Sequence, residues 1–134
     1  MKRVLALSTG LLIATGAAMA AGEMTSIPPS SLTVTDWYKQ NVYDPNNNKV
    51  GEIMDVLVSP DGKVDALIVG VGGFLGVGEK DVAVDFNAVK KTTKDNEIRL
   101  TMNTTKDALK SAPGFRYDRD KTTWVPDTSH NATQ

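Results

Sequence analysis

Apolar and polar residues along this chain alternate in short runs with a period of two, the pattern of strands that bury one face. Leu32-Thr33-Val34-Thr35-Asp36-Trp37-Tyr38 opens the ordered part, and Asn41-Val42-Tyr43 predicts a short strand that stops at the turn residues Asp44-Pro45-Asn46-Asn47-Asn48. Val50 to Val58 and Val64 to Val71 read as two strands joined across Ser59-Pro60-Asp61-Gly62-Lys63, a tight reversal, so they predict a hairpin. Val82, Val84 and Phe86 alternate with Asp81, Ala83 and Asp85 in a half-buried strand. A further strand with Ile98, Leu100 and Met102 inward is predicted to follow the polar tip Lys90 to Asn96. Thr104-Thr105 then offers hydroxyl caps to the helix formers Lys106 to Lys110, and Pro113-Gly114 ends the helix. After it the chain is polar apart from Phe115, Tyr117, Trp124 and Val125, which predicts a partly ordered tail.

Between the second and third long strands lies a stretch dense in glycine: Gly70, Gly72, Gly73, Gly76 and Gly78. Such density means a backbone turning through conformations other residues avoid, or a close approach by some other group. A phosphate cradle would need a Lys-Ser/Thr pair and a following helix, whereas here Glu79-Lys80-Asp81 leads into a strand. The loop is therefore expected to be a corner of the fold, with Phe74 and Leu75 as an apolar lid.

The N-terminus changes the compartment. Met1-Lys2-Arg3 precedes an apolar run through Leu11-Leu12-Ile13 and ends in Ala18-Met19-Ala20, as a secretory signal does. The expectation is a signal peptide over residues 1–20, cleaved after Ala20, an extended leader over 21–31, one domain over 32–113 with its helix near 104–111, and a polar tail over 114–134. Cleavage would place the protein in the periplasm with no membrane span, and would leave 13 basic against 16 acidic residues, a net charge of −3. That balance has no concentrated basic face, so nucleic acid is not an expected partner. The chain has no cysteine, which excludes thiolate catalysis, disulfides and zinc-thiolate sites.

The ordered pieces together resemble the PRC-barrel domain in its exported, single-domain bacterial form. The likeness rests on Val42-Tyr43-Asp44, on Lys49-Val50-Gly51-Glu52-Ile53 with Asp55-Val56-Leu57-Val58, and on Asp61-Gly62-Lys63-Val64 with Ala66-Leu67-Ile68-Val69. It continues in Gly72-Gly73-Phe74-Leu75-Gly76-Val77-Gly78-Glu79-Lys80-Asp81-Val82-Ala83-Val84 and in Leu109-Lys110-Ser111-Ala112-Pro113, with Asp85 standing where such sequences often carry proline. The resemblance implies an all-β fold, a small PRC-type β-barrel with one short C-terminal helix and a polar tail. Relatives occur in the cytoplasmic H subunit domain of the photosynthetic reaction centre and at the end of a ribosome maturation factor, which implies a protein-binding adaptor and not an enzyme.

The candidate chemistry is sparse. Glu79, Asp81 and Asp85 lack the ligand density of a calcium loop, and His130, the only histidine, has no partners for a catalytic triad, so no catalytic residue, metal or cofactor is expected. Asp55 shares its strand face with Ile53 and Leu57, so its carboxylate is expected to be buried and hydrogen-bonded to the backbone of a turn. The aromatics Trp37, Tyr38, Phe115, Tyr117 and Trp124, together with Phe74 and Leu75, are the candidate contacts for an unidentified protein partner, core and edge capping being the other use of the five aromatics. Unpaired barrel edges also allow a homodimer. The rival reading is a protein that binds a small ligand, anion or metal through Gly72, Gly73, Gly76 and Gly78 with the adjacent Glu79 and Asp81.

Overall fold

A computed structural model describes residue 10, residues 21–73 and residues 78–128; the expected signal peptide, Phe74, Leu75, Gly76 and His130 lie outside them. The chain divides into two compact units, Met1–Ser31 and Leu32–Gln134. The second unit is built on one sheet of eight strands: β1 Asn41–Tyr43, β2 Lys49–Val58, β3 Val64–Val71, β4 Lys80–Asp85, β5 Val89–Lys94, β6 Glu97–Met102, β7 Gly114–Asp118 and β8 Thr123–Pro126. Their spatial order is β5-β6-β1-β2-β3-β4-β7-β8, antiparallel throughout except for the parallel pair β1 and β6.

The period-two pattern places the core. Val42, Val50, Ile53, Leu67, Val69, Val71, Val82, Val84, Val89 and Leu100 are buried in one cluster, which Trp37 and Leu109 join from outside the sheet. Glycine is needed at two places here. A Cβ on Gly51 would meet Val69 Cγ1 at 2.5 Å and the Gly70 carbonyl oxygen at 2.9 Å. A Cβ on Gly70 would collide with the Glu79 carboxylate, so the close approach at this glycine comes from the chain itself.

The expected barrel is not closed by hydrogen bonds: the sheet has two edges, β5 and β8. It must nevertheless curl. Laid flat, six strands from β5 to β4 would span about 24 Å at the usual strand spacing. Yet β4 ends at Asp85 and β5 begins at Val89, four residue steps that reach at most about 14 Å. The link is a 3-10 turn, Phe86–Ala88, whose first backbone N–H groups are met by Asp85: its carboxylate accepts from Asn87 N at 2.7 Å. That contact needs an acceptor side chain, which the aspartate supplies.

Two expectations are corrected. Lys90 to Asn96 is not a loop tip; most of it is β5, which pairs with β6 from Val89↔Met102 to Lys94↔Glu97, and the turn is only Asp95-Asn96, both at positive φ. An edge strand with lysines and threonines outward looks like a loop because it buries only Val89. Nor is the end of the chain a polar tail alone, since β7 and β8 form a hairpin after the helix. The helix itself, α1 Lys106–Ser111, is capped by Thr105, whose hydroxyl accepts from Ala108 N, while Lys80 Nζ donates to the Lys110 carbonyl at 2.7 Å.

Exposed carboxylates tie the loops. Asp44 Oδ1 accepts from Asn46 N and Asn48 N, both at 2.8 Å, and the Asn48 backbone bond is the main cause that holds the Asp44 carboxyl below its ordinary pKa. Asp36 is lowered chiefly by its hydrogen bond from Lys91, 2.7 Å away, which ties the 3-10 turn Val34–Asp36 to β5. Asp61 is lowered chiefly by the Ser59 hydroxyl in the β2–β3 turn.

Two outcomes follow from this framework. Leu67→Ala removes a fully buried side chain from the middle of the cluster and is expected to cost about 2–5 kcal/mol in urea unfolding. Because the three aspartates are more acidic folded than unfolded, the stability they contribute is complete above about pH 4 and is lost as pH falls through their lowered folded values. The thermal midpoint should therefore drop between about pH 4 and pH 2, and Asp44→Asn should flatten that drop while lowering the midpoint at pH 7.

Candidate functional site

On β3 the residues that alternate with the core point to the other face of the sheet. Asp55, Ile68 and Ala83 lie side by side there, since Ile68 pairs with Asp55 on β2 and with Ala83 on β4. Ile68 is fully buried although it is not part of the core cluster, while Ala83 beside it is exposed, so this face is covered from β2 to β3 but not over Ala83. The β7–β8 hairpin supplies the cover. In a flat sheet β8 would stand four spacings, about 19 Å, from β2. Trp124 on β8 instead donates its indole N–H to Asp55 Oδ2 at 2.7 Å, so the hairpin folds back across the outside of the sheet.

Asp55 is half-buried, less than expected, and its backbone partner is not in a turn. The register shifts between Ile53 and Asp55, a bulge in β2, and Asp55 Oδ1 accepts from the N–H of Val56 at 2.8 Å. The carboxylate thus satisfies the irregular backbone with one oxygen and anchors the hairpin with the other. This is a structural role that sequence reasoning had only by half. The missing half was legible in the aromatics Tyr117 and Trp124 placed either side of Asp118-Arg119-Asp120-Lys121-Thr122, a turn-forming run. Asp118 Oδ1 accepts there from Asp120 N at 2.9 Å and Lys121 N at 3.2 Å.

The candidate contact aromatics separate into two groups. Trp37 is not a surface residue: it is 5% exposed and packs against Phe86 with ring centroids 4.7 Å apart. The apolar floor beneath the curled sheet claims it, because its indole can bury more area there than at any edge. Tyr38 beside it is exposed, with Lys39 Nζ 5.4 Å from its ring. Phe115, Tyr117 and Trp124 come together on the hairpin, where Tyr117 and Trp124 meet edge to face at 5.9 Å. Phe115 and Trp124 are half-buried, and Tyr117 is 48% exposed. Phe74 and Leu75 lie outside the described residues.

At the glycine corner, Gly51, Gly70, Gly72 and Gly73 line an open groove of about 520 Å³ with Lys49, Glu52, Glu79 and Lys106. Gly78 has φ +69, so a turn through the left-handed region accounts for it. Asp81 begins the outer face of β4, opposite Gly70 and Phe115 in the ladders, and is not among the groove's lining residues. Two acids and two lysines leave the groove without one dominant sign, and among the described residues no three acidic or histidine side chains gather as metal ligands.

The Asp55 to Trp124 contact makes a measurable prediction. Trp124→Phe or Asp55→Asn should each cost about 1–2 kcal/mol in urea unfolding. The double variant should cost no more than the larger single, which is the coupling expected of one shared interaction.

A search among curated proteins found no match. A family model does match: the one for the PRC-barrel domain covers residues 30–109, which takes in β1 to β6 and most of α1. That is more than half of the chain, and the chain belongs to the PRC-barrel domain family.

Proposed function

We propose that this protein is a non-catalytic binding and assembly module, exported to the periplasm, that recruits a protein partner through the β7–β8 hairpin. The observation that carries this reading is the hairpin's aromatic ledge. Phe115, Tyr117 and Trp124 gather on two strands, and the outer one, β8, is a sheet edge with backbone groups left for another strand. Rigid aromatics fixed by a hydrogen bond cost little entropy to hold in place, which suits them to anchor a partner. The other edge, β5, carries Lys90, Lys91 and Lys94, a composition that discourages strand addition. β8 is thus the edge better suited to a partner or to a second copy.

Export rests on the signal-like start of the chain, and among the described residues no helix is long and apolar enough to cross a membrane. A ligand held at the glycine corner is the second reading, and the groove of about 520 Å³ there favours it. Its mixed charges suit neither an anion nor a cation, so the hairpin is preferred.

A photo-crosslinking amino acid at position 117, expressed in the native host, decides between them. The expected result is a discrete protein adduct in the periplasmic fraction that is lost when Trp124→Ala is added. No adduct should form from position 58, where Val58 is exposed on a different part of the surface. Absence of any adduct from 117, or its persistence with Trp124→Ala, would reject the hairpin as the docking site.

A further inference from the structure

A second surface, separate from the hairpin and the glycine corner, lies where the 3-10 turns cross the end of the sheet. An open groove of about 350 Å³ is walled there by Leu32, Val34, Trp37, Val56, Val64 and Phe86, with Thr33 and Lys63 as its polar members. Trp37 is part of the core, and Val56 and Phe86 pack against it, so the groove is an extension of the core toward solvent. Leu32 and Val34 are 56% and 58% exposed, which is costly for two neighbouring aliphatic side chains unless something covers them.

The charges around this groove are equally selective. Lys63 is its one charged lining residue, and its ammonium group makes no ion pair among the described residues. The Trp37 indole N–H is sealed beneath the groove with no acceptor among the described residues, so it is out of reach of anything bound there and Lys63 is the groove's polar anchor. Apolar walls and one unneutralised cation, with no acidic residue among the described lining, select an apolar body that ends in an anionic acceptor. They disfavour a cation, a sugar or a polar peptide, each of which would lose hydrogen bonds to water against walls that return none.

We infer that the groove binds a single alkyl carboxylate, its chain along Leu32, Val34, Val56 and Phe86 and its carboxylate at Lys63. The volume suits roughly eight to twelve carbons, since a methylene occupies on the order of 30 Å³ at organic packing density. This inference does not depend on the hairpin reading, because none of the groove residues lies on β7 or β8.

The chain has two tryptophans, so Trp124→Phe leaves Trp37 as the only indole and a reporter in the groove wall. Titration of that full-chain variant with sodium octanoate below its micellar range is expected to change Trp37 emission saturably. Octanol should bind about tenfold more weakly, because it lacks the charge. Lys63→Met should weaken octanoate about tenfold and erase the difference from octanol, and Val34→Asp should abolish both responses while leaving the circular dichroism unchanged. Calorimetry on the unsubstituted chain provides the same affinities if Trp124→Phe perturbs the fold. The inference is overturned if octanoate gives no saturable signal, if Lys63→Met binds it as well as the parent, or if only phospholipid vesicles elicit the response. Sedimentation showing a dimer that Val34→Asp dissociates would instead assign the groove to a second copy of the chain, and would overturn it too.

Discussion

The whole arrangement depends on a short link. Because only Phe86–Ala88 separates β4 from β5, strands that stand five apart in the sheet order must come within the reach of four residue steps. Curling is the only way to satisfy that, and curling brings the inward residues of β1 to β4, with Val89 of β5 and Leu100 of β6, into one cluster. The valines and leucines found there are not merely hydrophobic; their β-branched majority suits the strongly twisted, half-buried strands that such curvature requires. Asp85 and the Trp37 to Phe86 contact hold the link from either side, one through the backbone and one through packing.

Curling also explains why the outside of the sheet is not simply solvated. Once β2 to β4 bend, their convex face can accept a hairpin that folds back over it, and Asp55 supplies the fixed polar point at which Trp124 engages. The bulge in β2 serves this directly. By satisfying Val56 N–H with one oxygen, Asp55 is held in a single orientation, so its other oxygen is positioned for the indole without further ordering cost. The hairpin lies beyond the residues matched to the family.

What could be read from the sequence was what local chemistry determines. The β2–β3 hairpin was legible because Pro60-Asp61-Gly62 sets its turn, β4 because Val82 and Val84 alternate cleanly, and the start of α1 because Thr105 caps it. β5 was hidden because an edge strand needs only Val89 inward and can otherwise resemble a loop. β7 and β8 were hidden because their partner surface, the Ile68 face of β3, is made by residues some fifty positions upstream. Trp37 is readable from sequence as either core or contact for the same reason. Whether an aromatic near a strand is core or surface is decided by curvature, and curvature here is set by a link far along the chain.

The two tryptophans mark how differently the two faces are finished. Trp124 meets an acceptor that the protein itself provides, so the outer layer is closed chemically and what it leaves exposed is Tyr117 and an edge of backbone. Among the described residues Trp37 meets none, and the groove at its side is bordered by exposed aliphatic groups and a lysine with no counter-ion among those residues. A fold that satisfies an indole at the cost of bringing a hairpin around the sheet has the means to satisfy the other. The inner indole is instead sealed beside a groove continuous with the core, so the outer face ends in a hydrogen-bonded layer and the inner one in exposed aliphatic groups.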